Sequence, residues 1–430
     1  MTTSFSRLGS ANTYDNALRN ISNRQSALSS LQENLTSGKK VVRASDDPTS
    51  AAQAERALNR ISRIQTDQRA LESQRNSIVM AESTLGDVTN ALQNFRELVV
   101  TAGNGTLTAA DRKTIALQLT GLRDQVFALA NSKDTNGRPL FSALGSALAP
   151  FVGPTAPPQD YTFNGLPGQS ASNEVAIPFT LDGDSAFMHQ ATRDAVFNAT
   201  VGSISAGRQL STDSVVITNP GVAASTAQLA FAASGGLQDY PSYTIAFTAV
   251  DTTTTPGTTT ATYSITENPA VSGAIAPVTV SYPTNKSIAV TAMPGLSLTI
   301  TGTPAVGDTV TVEPSPSIFS VLDNAIRDIG SAANGNAATQ AVSQALGNID
   351  IGMGRVSAIR GQAGDLLNRA DSISANQDKR SIQLEADRSR AEDLDMVKGI
   401  SDFQKEQTGY QAALQSYAQV QKLSLFNYIS

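Results

Sequence analysis

Three short stretches of the 430-residue chain carry residue types that could do chemistry. The first, "LTSGKKVVRASDDPTSAAQAERAL" at 35–58, sets a glycine and two lysines near the adjacent carboxylates Asp46 and Asp47, with Pro48 next. Gly-Lys is the tail of a phosphate-binding loop, and paired carboxylates can hold a metal or divide acid and base roles. A phosphate loop needs Gly-x-x-x-x-Gly-Lys-Ser/Thr after a strand. Here Glu33 stands where the first glycine belongs, Lys40 replaces the hydroxyl residue, and a helical pattern precedes the glycine. Proline favours the first helical position and aspartate the N-cap. Asp47 as cap, with Asp46 favourable to the helix dipole, accounts for the pair without chemistry. Gly38, Asp46, Asp47 and Pro48 therefore read as a joint between two helices.

The second stretch, "IDIGMGRVSAIRG" at 349–361, has the outline of a dinucleotide fingerprint, but Ser357 occupies the third glycine position. No strand pattern precedes it, and Val356 and Ile359 fall on a helical seam, so small residues on a packed helix explain it. The third is His189 in "AFMHQATRD", the one histidine of the chain. A single histidine rules out a two-histidine zinc helix, and no nucleophile motif surrounds it. With no cysteine there is no thiolate, no zinc–sulfur site and no disulfide framework. No catalytic, cofactor-binding or metal-binding residue is expected; the chain reads as a non-enzyme.

The elements around these residues fall into three zones. Apolar residues make up 40% of the chain and charged ones 16%. The segment 141–317 holds three basic and eleven acidic residues, whereas the two ends hold most of the charge. The net charge of −6 argues against a nucleic-acid footprint. No run of eighteen apolar residues exists, so no membrane insertion is expected, and the opening "MTTSFSRLGSANTYDNAL" lacks the apolar core of a secretory signal peptide.

The N-terminal zone is helical by periodicity. Tyr14, Leu18, Ile21, Leu28 and Leu35 step by threes and fours, with Gln25 and Gln32 filling seam positions. Past the joint, Ala57, Ile61, Ile64, Leu71, Ile78, Leu85, Leu92 and Val99 continue the stepping, giving a helix about 80 Å long at 1.5 Å per residue. "AGNGTLTAADR" then turns the chain, with Thr108 and Asp111 spaced as a capping box. A third helix carries Ile115, Leu119, Leu122, Val126 and Leu129, closed by "KDTNGRPLF". The C-terminal zone mirrors this: a short stripe (Phe319, Leu322, Ile326, Ile329), a loop, and a second very long seam from Val342 through Ile349, Val356, Ile359, Leu366, Ile373 and Leu384. Matched lengths predict that the two long helices lie side by side. After "RAEDLDMVKG" a further seam runs through Met396, Ile400, Phe403, Tyr410, Leu414 and Tyr417, with Gln407 as a polar position on the same face.

The middle reads as β. "YTIAFTAV", "TATYSITE", "VTVSYP" and "LSLTITG" alternate and are rich in Val, Ile, Thr and Tyr. "APFVGPTAPP" and "VEPSPS" read as incoming and outgoing linkers, and "DTTTTPGTTTAT" as a low-complexity hairpin tip. The predicted fold is α+β and multidomain: a long antiparallel helical bundle or coiled coil from both termini with an inserted β-rich, sandwich-like middle. The expected divisions are 1–40 with 395–430, 41–150 with 317–394, and 151–316. The terminal seams (Tyr14, Leu18, Ile21 and Leu28; Ile400, Phe403, Tyr410, Leu414 and Tyr417) extend beyond the matched long helices. They are expected to be completed by neighbouring copies of the chain.

At both ends the sequence resembles the flagellin superfamily of bacterial axial proteins. "LTSGKKVVRASDDP" looks like that family's helix joint, "FRELVVTAGNGTLTAADR" like its second signature, and "SRAEDLD" and "LSLFNYIS" complete the likeness over roughly 1–145 and 318–430. Pro48 after Asp46-Asp47 and the "LSLFNYI" ending favour the superfamily's hook–filament junction members over filament-forming flagellin, the competing reading. The resemblance implies a structural role, with self-assembly into a ring or helical segment through terminal helices at the axial core. It also implies another hook-associated protein on the hook side and flagellin on the filament side. It implies an export chaperone and passage through the flagellar type III apparatus without a cleaved signal peptide, to an extracellular position. Metalloprotease-bearing flagellins need a His-Glu-x-x-His helix, which a chain with one histidine cannot supply; an adhesin role would rest on the unassigned middle.

Overall fold

The structure, a computed structural model, describes residues 4–154, 161–189, 194, 196–202, 210–235, 240–284, 286–332 and 334–429; side chains in the terminal helices are described from 15 onward and up to 421, position 420 excepted. Eight helices are named among the described residues: α1 (Ser4–Ser37), α2 (Pro48–Ala102), α3 (Ala109–Ala130), α4 (Gly183–Phe187), α5 (Pro220–Ala233), α6 (Ile318–Ser331), α7 (Gly335–Glu392) and α8 (Met396–Ile429). The chain divides into two compact units, one from residues 1–69 and 373–430 and the other from 70–372; α2 and α7 contribute to both.

The long helices α2 and α7, of 55 and 58 residues, are the matched pair. Along α2 the seam Ala57, Ile64, Leu71, Ile78, Leu85, Leu92 and Val99 is buried, as are Val342, Ile349, Val356, Ile359, Ile373 and Leu384 along α7. Within the larger unit the helices run antiparallel. Arg75 meets Asp371 at 3.3 Å, Glu82 meets Arg360 at 2.7 Å, and Arg96 meets Asp350 at 2.8 Å. These ion pairs are half-exposed, and such pairs contribute about 0–1 kcal/mol each. The seam dominates, since burying one Leu or Ile side chain is worth about 1.5–3 kcal/mol.

In the smaller unit the same two helices carry a flaw. Gln377 is 6% exposed, and neither its Nε2 nor its Oε1 has a hydrogen-bond partner. An unsatisfied buried amide costs about 1–3 kcal/mol. Gln377→Leu should therefore raise stability by about 1–2 kcal/mol, read as a higher denaturation midpoint at unchanged slope; a lower midpoint would mean the amide has a partner in solution.

Helix α3 begins with the capping box. The Thr108 Oγ1 accepts from the Asp111 backbone N–H at 3.2 Å, and the Thr108 N–H donates to Asp111 Oδ2 at 2.9 Å. It packs against α6, and buried Arg112 ties the ends together, donating to the Leu107 and Ala332 carbonyls at 2.8 and 3.1 Å. The "KDTNGRPLF" turn is organised by Asp134, whose carboxylate accepts from the N–H groups of Asn136 and Arg138, both at 2.8 Å. Burial acts to raise its pKa, but the Arg138 and Asn136 amides and the Ser77 hydroxyl outweigh it and hold the group below the usual aspartate value. Next to α6 lies an aromatic cluster in which Phe319 touches Phe127, Phe151, Tyr161 and Phe187 with ring centroids 5.1–5.8 Å apart. Tyr161 and Phe187 come from the middle of the sequence, so the helical core draws on residues well past 150.

The β-rich middle is two antiparallel sheets. The five-stranded sheet has the order β3-β11-β6-β7-β8 (Phe197–Gly202, Thr309–Pro314, Ser242–Asp251, Thr258–Asn268, Val278–Pro283). The second is β4-β10-β5 (Ser211–Thr212, Leu296–Thr301, Val216–Ile217) with β9 (Ile288–Val290) also on β10. A separate pair, β1 (Phe151–Val152) with β2 (Thr162–Phe163), adjoins the aromatic cluster. All four segments expected as strands are strands. The inward residues Tyr243, Ile245, Phe247, Ala261, Tyr263, Leu296, Leu298, Ile300, Val310 and Val312 form one core with Ala223 and Ala227 of α5.

Three expectations need correction. Thr258 and Thr259, expected only in the low-complexity tip, open β7, whose outward hydroxyls pair across to β8, Thr260 with Ser281 at 2.9 Å and Thr262 with Thr279 at 2.8 Å. The true tip is held by Asp251 Oδ1, which accepts from the Thr253 and Thr254 N–H groups at 2.8 and 3.1 Å. Val312–Pro314 of the expected outgoing linker is strand β11. The middle also contains a helix, α5, capped by Asn219 with Pro220 at its start. Gly295, at φ +73°, permits its close approach, because a side chain there would meet the Ala223 N–H and Asn219 carbonyl.

Strands β3 and β11 leave and re-enter the helical part as neighbours, Phe197 paired with Pro314. Three side chains four residues apart on α7 hold β3 and the residue after β4. Gln340 donates to the Ala199 carbonyl at 3.2 Å, Gln344 to the Asp213 carbonyl, and Asn348 to the Phe197 carbonyl at 2.9 Å. Replacing 198–313 with a short Gly-Ser turn, together with Gln340→Ala and Gln344→Ala, should leave the helices and the aromatic cluster folded. The check is helical circular dichroism with a cooperative melt; loss of cooperativity would mean that the sandwich is required for the helical core.

Candidate functional site: the terminal helix pair and its joint

Helices α1 and α8 run antiparallel and contact one another along their length. The covered stripe on α1 is Ala17, Ile21, Arg24, Leu28, Leu31 and Leu35; on α8 it is Phe403, Glu406, Tyr410, Ala413 and Tyr417, all only half-buried. Both follow the 3–4 alternation of a two-helix seam. Gln25 and Gln32, expected on the α1 seam, are exposed, because the true register runs one residue earlier through Arg24 and Leu31. Leu18, Ile400 and Leu414 lie off the covered stripe at 42%, 47% and 41% exposure. The Tyr14 side chain lies outside the described residues. From 15 to 37, and from 396 to 421 where described, Gly399 alone is fully buried.

A polar layer interrupts this seam. Arg24 Nη1 meets Glu406 Oε2 at 2.9 Å. Gly409 leaves the room for it, since a Cβ there would collide with the Arg24 guanidinium. A single polar layer in an apolar seam favours one register over its neighbours. Gly399 serves a similar end near the joint, its missing side chain letting Leu35 and Leu394 close in.

The joint after α1 lies against a second break, between α7 and α8. Lys39 and Asp393 form an antiparallel bridge. The Leu394 N–H donates to the Gly38 carbonyl at 2.9 Å, and the Lys40 N–H donates to the Glu392 carbonyl at 2.8 Å. Gly38 sits at φ +72°, where a side chain is strained. Lys39 pairs with Glu392, which also receives Arg388 Nη1 at 2.9 Å. Asp47 Oδ1 accepts from the Thr49 and Ser50 N–H groups, both at 3.1 Å, and so caps α2. The Ser50 and Thr49 hydroxyls and amides hold the Asp47 carboxyl well below its usual range. Its contribution is present above the normal aspartate pKa and lost only as the pH falls through the lowered value. Asp46 takes no part in that cap: its Oδ2 accepts from the Arg43 N–H at 2.8 Å and closes the turn before it. Asp395 caps α8, accepting from Val397 and Lys398 at 3.0 and 3.1 Å.

The sequence pattern marks both breaks, Gly38–Pro48 and "RAEDLDMVKG", but not their pairing with each other. Glu392, Asp393 and Asp395 carry no glycine or proline to mark a break; the signal was Asp395 placed directly before a resumed seam, as Asp47 is before Pro48. The other candidate chemistries sit in packing positions. Gly352 of the glycine-rich stretch lies mid-helix in α7, where a side chain would collide with Ile318. His189 is buried, with Nδ1 3.2 Å from the Ser315 carbonyl. No group of three or more possible metal-ligating residues, and no helix long and apolar enough to cross a membrane, occurs among the described residues.

A chain whose two ends form one helical pair, broken at a shared joint and followed by a matched pair of long helices around a β-rich insertion, belongs to a class of two-ended helical proteins. The class is the bacterial flagellin family, and this chain belongs to it. Residues 10–145 match the bacterial flagellin N-terminal helical region and residues 346–429 the C-terminal helical region, together just over half of the chain. It is 38% identical over 147 residues to flagellar hook-associated protein 3 of Salmonella typhimurium, covering 34% of this chain and 46% of that protein. It is 32% identical over 127 residues to flagellin of Bacillus subtilis, covering 29% of this chain and 42% of that one. The chain thus spans less than half the length of these relatives. The crystal structure of the flagellar junction protein FlgL from Legionella pneumophila shares the fold with a TM-score of 0.55 at 23% identity, over 74% of this chain and 99% of that one.

Proposed function

We propose that this chain is a structural protein of the bacterial flagellum that joins hook to filament, assembling with copies of itself through its terminal helices. One observation carries the assembly reading: α1 and α8 cover only one stripe of each other and leave Leu18, Ile400 and Leu414 open. Two helices have too little surface to bury more, and a third and fourth from neighbouring copies complete the seam. The junction reading over flagellin rests on the higher identity to hook-associated protein 3 than to flagellin. Partners on this reading are other copies, another hook-associated protein on the hook side and flagellin on the filament side. The chain would reach them through the flagellar export apparatus, with a chaperone, and without cleavage of a signal peptide. Nothing in the role calls for an active site. Epitope labelling tests it: a single band at the hook end is expected, whereas label along the whole filament would make the protein a flagellin. A deletion strain should build hooks and shed unpolymerised flagellin.

A further inference from the structure

Beside the joint, α2 and α7 enclose a groove of about 450 Å³ lined by Ser50, Gln53, Arg56, Arg60, Asp387 and Arg390. Asp387 is taken by Arg390, while Arg56 and Arg60 make no hydrogen bond or ion pair among the described residues. Like charges four apart on a helix repel, so the isolated chain holds two unneutralised arginines at some cost. We propose that this groove receives the outer stripe of α2 from a second copy of the chain. That stripe runs from Glu72 to Thr101 through exposed residues three or four apart. It carries Glu72, Asp87 and Glu97, has no basic residue, and none of the three acids has a partner among the described residues. The match extends to the units as wholes: residues 1–69 with 373–430 carry seventeen basic and fourteen acidic side chains, and 70–372 carry fourteen and twenty-three. A positive surface on one copy meeting a different, negative surface on the next is a heterologous contact, which propagates into a ring or helix rather than closing as a dimer. The inference rests on the self-assembly reading and adds the surfaces and their polarity.

The chain lacks cysteine, so cross-linking is clean. Cells would make Arg60→Cys together with Glu72→Cys, Asp87→Cys or Glu97→Cys on separate copies, and isolated flagella would be treated with a short bis-maleimide. A dimer of this chain from at least one mixture, absent when either variant is present alone, is expected. No dimer from any of the three in flagella containing both variants overturns the proposal, as does Arg60→Cys linking to itself or only to a different protein. Should loss of the arginine block incorporation, Gln53→Cys with Asn90→Cys gives the same readout. Labelling the same variants at the hook end separates the two failures: correct position without cross-links rejects the groove alone, and wrong position rejects the junction role.

Discussion

Phe319→Ala should destabilise the larger unit by about 3–5 kcal/mol, as expected for a fully buried aromatic truncated where its neighbours cannot collapse. Phe319 is 0% exposed and sits among Phe127, Phe151, Tyr161 and Phe187. Four rings from four separate stretches of chain converge on it, so its loss leaves a hole that no single backbone shift can fill. Urea unfolding followed by tyrosine fluorescence measures it, the chain having no tryptophan. A loss below about 1 kcal/mol would mean that the cluster repacks and is not a fixed core.

That cluster shows where sequence reading stops. Phe319 stood at the head of a visible stripe, and so did the seams of α2 and α7, because a helix repeats its apolar positions locally. The four strands of the middle announced themselves by alternation for the same reason. The partners of Phe319 did not: Phe151, Tyr161 and Phe187 sit singly in loop-rich sequence, and their meeting is a long-range fact with no local period. Helix α5 has no strong apolar–polar contrast to announce it, because the residues it buries against the sheets, Ala223 and Ala227, are small. The α1 register slipped because Arg24 does not look like a seam residue; only Glu406 and Gly409, almost the whole chain away, make it one. Both halves of the joint were present in the sequence, and the bridge from Lys39 to Asp393 lay beyond any local pattern.

The surface that should matter most for assembly behaves in the opposite way to Phe319. Leu414→Asp should leave the monomer within about 0.5 kcal/mol of its stability and abolish incorporation at the hook end. Leu414 is 41% exposed and lies one position round from the stripe formed by Phe403, Tyr410 and Tyr417. An aspartate there stays hydrated while the chain is alone. Once a neighbouring copy covers the flank, the charge must be buried unpaired, which costs several kcal/mol or forbids the contact. Cells should export the variant, fail to retain it, and shed filament protein into the medium. Gln407 occupies the same exposed flank, seven residues from both Ile400 and Leu414. Gln407→Leu should extend the apolar strip, keep or strengthen association, and loosen its register. An ordinary core position would behave otherwise, with Leu414→Asp unfolding the monomer in a melt and failing for that reason alone. Normal incorporation of a well-folded Leu414→Asp protein would instead show that this flank faces water in the flagellum, and the partner helices would have to be sought on the other side of α8.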